Sequence, residues 1–243
     1  MLTQFRNWLM IAKGELVALF LIAVSLAGCA EGMFSEYGVL NPTARRQWYL
    51  EEERYGFNLN SRLAELAKLR QRAKTLTAER RNAIANELGS LAKTERNPIL
   101  RSSIVLTLAE MQDSTADRAI LDRLQDDAAI VRRAACQAIA KRGGDAAVSE
   151  LARVIQSDDD LDVRLTAAKE MGQFRQNDVA IRALGVMLDD SDPAVQYQAM
   201  RSLHQVTGKR FGNDVTAWRQ FLTGGKPVEQ PPTMVSRLFG SSW

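Results

Sequence analysis

Residues 160–168 read Asp-Leu-Asp-Val-Arg-Leu-Thr-Ala-Ala, and residues 127–135 read Asp-Ala-Ala-Ile-Val-Arg-Arg-Ala-Ala. In both stretches an apolar residue is followed by arginine, and an alanine comes four residues after the apolar one. The same step from an apolar to a polar residue recurs at intervals of 31, 32 and 32 residues, at Leu100-Arg101, Val131-Arg132, Val163-Arg164 and Val195-Gln196. The chain therefore contains an internal repeat. The first residue of each step is called the register residue below.

An apolar stripe follows each register residue at helical spacing. Offsets of 0, 4 and 8 drift only slowly around an α-helix, so the three positions predict one buried face. The small residue at offset four would let neighbouring helices approach closely. The offset residues are Ile104, Ala135, Ala167 and Ala199 at four, then Leu108, Ile139, Met171 and Leu203 at eight.

A second apolar set lies about twenty residues after each register residue, and turn-prone residues such as those at 143–145 separate the two sets. Helix N-caps are predicted at Asn97, Asp160 and Asp192, and in the remaining unit at Asp126 or Asp127. Each unit is thus predicted to be two antiparallel helices joined by a short turn. One such pair of helices cannot bury both of its apolar faces, whereas four stacked units form a continuous core. We therefore predict an all-α fold, an α-solenoid.

The Asp-x-x-Val-Arg-x-x-Ala-Ala pattern resembles HEAT-like repeats, particularly the short variety found in phycobilisome lyases. The resemblance covers roughly residues 78–223. Residues 207–212 are similar to the closing segment of some bacterial HEAT-repeat proteins, in which such a turn leads to a helix with an inward tryptophan, here Trp218. The resemblance implies a helical solenoid that binds another protein.

The N-terminus predicts a lipoprotein signal peptide over residues 1–28. An apolar run from Leu16 to Ala27 is too short to span a bilayer, and Leu26-Ala27-Gly28-Cys29 resembles the bacterial lipobox. The resemblance implies cleavage before Cys29 and its acylation. The protein would then be anchored in a bacterial membrane, extracytoplasmic and on the periplasmic side. A cleaved signal followed by an ordinary free cysteine, and an uncleaved anchor, are the alternatives.

The sequence divides into four parts. Residues 1–28 form the signal peptide, 29–57 a lipid-anchored tether with one short helix, 58–223 the HEAT-like repeat domain, and 224–243 a proline-rich linker with a short amphipathic segment. That last segment could dock on the solenoid, on the membrane or on a partner.

A basic helix is predicted within residues 60–75, at the start of the repeat domain. Its basic side is interpreted as a solvated face, with contact to acidic lipid or a partner as the alternative. That side carries Arg62, Lys68, Arg70, Arg72 and Lys74.

The sequence shows no pattern of catalytic or metal-binding residues. The one histidine, His204, is interpreted as a hydrogen-bonded structural residue, and Cys136 as a small buried hydrophobe. No metal site and no cofactor are predicted; the aspartates at 158–160 are read as caps and solvated turns, with a weak calcium site as a remote option. The 32 basic and 29 acidic residues are interspersed, which does not favour nucleic acid.

We therefore expect a non-catalytic, monomeric, membrane-anchored scaffold or adaptor with an unidentified protein partner. The alternatives are a structural component of the cell envelope and a lyase-like accessory protein that binds a small molecule. The residues on which these expectations rest are Leu26, Ala27, Gly28 and Cys29 for the anchor, and Leu100, Ile104, Val131, Ala135, Val163, Ala167, Val195, Ala199, Leu203 and Trp218 for the repeat core.

Overall fold

The computed structural model describes residues 58–231, which form ten α-helices and no strand. The predictions for the signal peptide, Cys29, the tether helix and the terminal apolar segment fall outside the described residues. The helices are α1 Leu59–Arg72, α2 Ala78–Thr94, α3 Pro98–Leu108, α4 Ser114–Asp122, α5 Ala129–Arg142, α6 Gly144–Ser157, α7 Leu161–Met171, α8 Asp178–Val186, α9 Pro193–Thr207 and α10 Val215–Leu222. Short 3-10 turns follow α1, α4 and α8 at Ala73–Thr75, Arg123–Gln125 and Met187–Asp189.

The helices of the repeat domain pack in two layers. Each odd-numbered helix from α1 to α9 packs on the next odd-numbered one, while α2 packs on α4 and α6 packs on α8. Consecutive helices from α2 to α10 also contact each other across the layers. In a solenoid each element contacts only its near neighbours in sequence. The predicted all-α solenoid is confirmed.

The core lies between the two layers and is lined by the repeat residues. The four register residues are at most 2% exposed, and the three alanines at offset four are completely buried. In the even-numbered layer α2 and α4 also approach each other closely. A Cβ added at Gly89 of α2 would lie only 3.2 Å from the Cβ of Ala119 in α4. The low aromatic content is therefore matched to the fold, since large side chains would hold these helices apart.

Side-chain caps begin most helices of the odd-numbered layer. Asn97 accepts hydrogen bonds from the N–H groups of residues 99 and 100, Asp160 from that of residue 163, and Asp192 from that of residue 194. The prediction for α5 was wrong, because this helix has Ala128 as its N-cap and no side-chain cap. Asp126 instead accepts from the Ala128 N–H at 3.0 Å, in the turn before the helix.

The turn between α5 and α6 is shorter than the predicted three residues. Gly143 alone separates the two helices, and its φ of +74° is one that residues other than glycine rarely adopt. Gly144 already belongs to α6. Two glycines in succession thus permit an almost immediate reversal of the chain.

The helix α10 closes the C-terminal end of the repeat domain. Trp218 is fully buried, its indole N–H donates to the Gly212 carbonyl at 3.0 Å, and its ring meets that of Phe211 edge-on at 4.9 Å. Residues 224–231, predicted as an extended linker, are non-helical and fold back over the turn before α10. The Gln230 N–H donates to the Arg210 carbonyl at 2.7 Å.

Replacement of Trp218 tests whether this closing helix is part of the core. We expect Trp218→Ala to lower the free energy of unfolding by about 3–5 kcal/mol, because it leaves a large cavity. Trp218→Phe keeps most of the apolar volume and loses chiefly one hydrogen bond, so about 1–2 kcal/mol is expected. Urea denaturation followed by circular dichroism measures both. A loss below about 1 kcal/mol for Trp218→Ala would contradict a stabilising role for the cap.

Candidate functional site

Consecutive repeats are joined by a buried ion pair between Arg101 and Asp126. The Arg101 Nε and Nη2 donate to the two carboxylate oxygens of Asp126 at 3.1 and 2.7 Å, and the side chains are only 9% and 3% exposed. Arg101 Nη1 also donates to the carbonyls of Glu95 and Arg96 at 3.1 and 3.0 Å. One guanidinium thus binds the turn before its own helix and the turn before the next repeat.

The same arrangement recurs one repeat later. Arg132 donates to both carboxylate oxygens of Asp158 at 2.8 and 2.9 Å, and its Nη1 donates to the Asp126 carbonyl at 2.9 Å. Arg164 keeps the second half of the pattern and donates to the Asp158 carbonyl at 2.8 Å. Bidentate contacts of this kind fix both distance and angle between their partners. They therefore set the orientation of each repeat on the one before.

The charges of these pairs stabilise each other. Burial alone would raise the pKa of Asp126, but the hydrogen bonds from Arg101 and from the Ala128 N–H outweigh it, and the pKa lies below its ordinary value. For Asp158 burial likewise raises the pKa, but the hydrogen bonds from Arg132 lower it, and the pKa again lies below its ordinary value. Both carboxyl groups are consequently ionised at neutral pH.

The helix α1 extends these contacts to the N-terminal side. Arg62 pairs with Glu95, and Arg70 Nη2 donates to the backbone carbonyl of Ser103 at 3.2 Å. The interpretation of this helix's basic side as a solvated face is therefore wrong for these two arginines, which face the neighbouring repeat. Arg72 and Lys74 are exposed.

The acidic partners were missed in the sequence, although a signal for them exists. Each lies five residues before a register residue, and each accepts a hydrogen bond from the N–H two residues further on. The side chains at this position are Glu95, Asp126, Asp158 and Asp190. An acidic residue repeating with the period of the core was thus available as evidence of contact between repeats.

His204 and Cys136, the two residues considered for chemistry, lie on different helices, α9 and α5. His204 is half-buried, and its Nδ1 is 2.7 Å from the Lys209 carbonyl oxygen, so the ring holds the turn that follows α9. Cys136 is fully buried, and burial raises the pKa of its thiol to about 12. A thiol in this state is a poor nucleophile at neutral pH.

The aspartates at the turns act through hydrogen bonds. Asp158 accepts from the Asp160 N–H at 3.0 Å, and Asp160 accepts from the Val163 N–H at 3.1 Å. Within residues 58–231 no group of three histidine, cysteine, aspartate or glutamate side chains is placed to hold a metal ion.

A cleft of about 810 Å³ opens at the edge formed by the turns within repeats. Two of the cations that line it are paired, since Lys141 contacts Glu110 and the Arg142 Nε lies 2.7 Å from Asp117 Oδ1. These contacts join α5 to α4 and to the turn after α3. They act as a second set of links between repeats.

Two substitutions that remove the same charge separate the buried contact from the surface one. We expect Asp126→Ala to lower the free energy of unfolding by about 3 kcal/mol, because it leaves the buried Arg101 without its main partner. Asp127→Ala removes a carboxylate that also touches Arg101 but has an 89% exposed side chain, and should cost less than about 1 kcal/mol. Urea denaturation at neutral pH measures both.

The Asp126 contribution also has a defined pH dependence. Since its folded-state pKa is lowered, the stability it provides is present above the ordinary aspartate value of about 3.9 and is lost as the pH falls through the lower folded value. Asp126→Ala should therefore lose less stability on acidification than the wild type. Equal acid sensitivity, or equal costs for Asp126→Ala and Asp127→Ala, would contradict the role of this pair.

The comparisons with known proteins agree with this geometry. A family model for HEAT repeats matches residues 85–169 and again residues 118–204. No curated protein matches the sequence. No helix within residues 58–231 combines the length and the apolar composition needed to span a bilayer.

The family match and the two packed helix layers lead to the same conclusion. The chain contains HEAT repeats, and its helical domain is a HEAT-repeat solenoid.

Proposed function

We propose that this protein is a membrane-anchored lipoprotein whose HEAT solenoid binds another protein as a scaffold or adaptor and carries out no chemical step. The observation that carries the proposal is the match to HEAT repeats, which generally serve as protein-interaction scaffolds. Stacked repeats offer an extended, rigid surface. The lipid would hold that surface at a membrane.

Exposed apolar side chains on the solenoid support a binding role. Ile99, Ile130 and Tyr197 of the odd-numbered layer are 43–46% exposed, and Val186 of α8 is 61% exposed. Single exposed apolar residues are ordinary on protein surfaces. Here, however, Ile99 and Ile130 occupy the same repeat position, one residue before the register residue, and α3 and α5 pack on each other.

The proposed anchor rests on the sequence of residues 16–29. The apolar run, the small residues Ala27 and Gly28, and the cysteine that follows them occur together in the order of a lipobox. Acylation would attach chains worth about 0.8 kcal/mol for each buried methylene, and two or more chains give stable anchoring.

A count of free thiols tests the anchor. The chain has two cysteines, and a lipid-modified Cys29 carries no free thiol. In the protein isolated from its own membranes we expect one thiol after denaturation, that of Cys136. Before denaturation we expect none to react, because Cys136 is buried and its pKa is about 12. Two thiols after denaturation, or an N-terminal peptide without lipid mass, would exclude the anchor.

Purification from detergent-solubilised membranes tests the scaffold. We expect the full-length protein to retain one or two envelope proteins in stoichiometric amounts. The variant Cys29→Ala should be released from the membrane and should lose or weaken those contacts. If the wild type purifies alone, the scaffold proposal fails. A bound small molecule found instead would favour the lyase-like alternative.

A further inference from the structure

Nine side chains on α5, α7, α9 and the turn that follows α7 form one continuous solvent-facing surface of the odd-numbered layer. They lie at offsets two, six and ten from the register residues, a spacing that follows one face of a helix. Seven are exposed and two, Gln137 and Leu165, are half-exposed. This nine-residue face consists of Arg133, Gln137, Lys141, Leu165, Lys169, Gln173, Tyr197, Arg201 and Gln205.

The nine-residue face carries four cations and no acidic residue, although acidic and basic residues are nearly balanced in the whole chain. Within residues 58–231 no carboxylate lies within ion-pair distance of Arg133, Lys169 or Arg201, whereas Lys141 is paired with Glu110 in the turn after α3. The Arg133 Nε donates a long hydrogen bond to the Thr166 hydroxyl, at 3.3 Å. Three charges on three successive helices are thus available to a partner.

Apolar side chains accompany these charges. Tyr197 of the face is 46% exposed, Leu165 is half-exposed, and Ile130, one helical turn before Arg133, is 43% exposed. The carboxyl group of Glu170, next to Lys169 in sequence, is half-buried; burial raises its pKa, and the charge of Lys169 offsets part of that rise. A ligand that fits this surface therefore needs both negative charges and apolar groups.

We propose that the nine-residue face binds an acidic segment of the partner protein, with the carboxylates of that segment on Arg133, Lys169 and Arg201 and its apolar side chains against Leu165 and Tyr197. This inference rests on the proposed scaffold function and names the chemistry of its partner. Adjacent helices lie about 8–10 Å apart. In the polyproline II conformation, which has three residues per turn and a rise of about 3.1 Å per residue, every third side chain lies on the same side at intervals of about 9 Å, so acidic residues spaced by three match successive helices.

A nucleic acid is the less suitable occupant. Three unpaired cations across three helices supply few phosphate contacts, while the affinity of proteins for nucleic acid comes largely from many such contacts. Three glutamines and the apolar residues fill the rest of the face. Hydrogen bonds from amides and apolar contacts suit a polypeptide with mixed side chains.

The chain offers a matched control for a test of this surface. Arg80, Arg118 and Arg182 are exposed, lie one each on α2, α4 and α8, and form no ion pair among the described residues. The variant R133E/K169E/R201E reverses the charge of the proposed face, and R80E/R118E/R182E makes the same change in net charge on the even-numbered layer. Circular dichroism and thermal unfolding establish that both variants are folded.

The probe is a fluorescein-labelled peptide of five Glu-Leu-Ser repeats, and binding to the full-length protein in detergent is followed by fluorescence anisotropy at low salt. The same peptide with lysine in place of glutamate, a single-stranded oligonucleotide of equal length and anionic lipid vesicles are compared. We expect the acidic peptide alone to bind well. Because the loss of three exposed ion pairs is compounded by repulsion between the three introduced glutamates and the acidic peptide, we expect binding to weaken by about tenfold or more in R133E/K169E/R201E. R80E/R118E/R182E should change it less than about threefold.

Several outcomes would overturn the proposal: no binding of the acidic peptide, equal weakening in both variants, or tighter binding of the oligonucleotide or vesicles through the same three residues. Copurification from membranes separates this failure from failure of the scaffold function. If a stoichiometric partner remains bound to R133E/K169E/R201E, the scaffold stands and the nine-residue face is not its binding site. If the wild type retains no partner, the scaffold itself fails.

Discussion

The buried contact between Arg101 and Asp126 is the constraint on which the stacking of the repeats depends. An arginine side chain stays protonated in proteins, so burying it requires a carboxylate and further acceptors at fixed positions. Asp126 and the carbonyls at the end of α2 supply them. Because Asp126 also bonds the Ala128 N–H, one carboxylate determines where α5 begins and how it lies against α3. Arg132 and Asp158 repeat the arrangement one unit later.

The two edges of the solenoid are held by different contacts. The turns between repeats carry the buried arginine–aspartate pairs, whereas the turns within repeats carry half-exposed pairs such as Lys141 with Glu110. With both edges used for stacking, the free surface is the outward face of each helix layer. On the odd-numbered layer exposed or half-exposed positions recur at the same offsets in the three repeats that begin with α5, α7 and α9. A surface of this kind combines a rigid spacing with side chains that differ from repeat to repeat, which suits recognition of another chain.

The repeat period predicted most of the fold because the core positions are local in sequence. Register residues and their offset alanines are buried as a helical stripe requires. Asn97, Asp160 and Asp192 cap helices because their side chains bond N–H groups two or three residues away. The cap expected at Asp126 or Asp127 differed because Asp126 is held by Arg101, 25 residues earlier in the chain. Spacing within one repeat does not reveal so distant a partner; only the recurrence of an acidic residue five positions before each register residue indicates it.

The sequence by itself determined the helical class, the period and the apolar core, since each depends on composition or on spacing within one helix. The tertiary structure decided which charges are internal. Arg62 and Arg70, apparently members of one basic helix side, contact the next repeat, while Arg133, Lys169 and Arg201 meet solvent together on three helices. The physical reason is that exposure and pairing of long charged side chains are set by neighbouring helices, about 30 residues away in sequence.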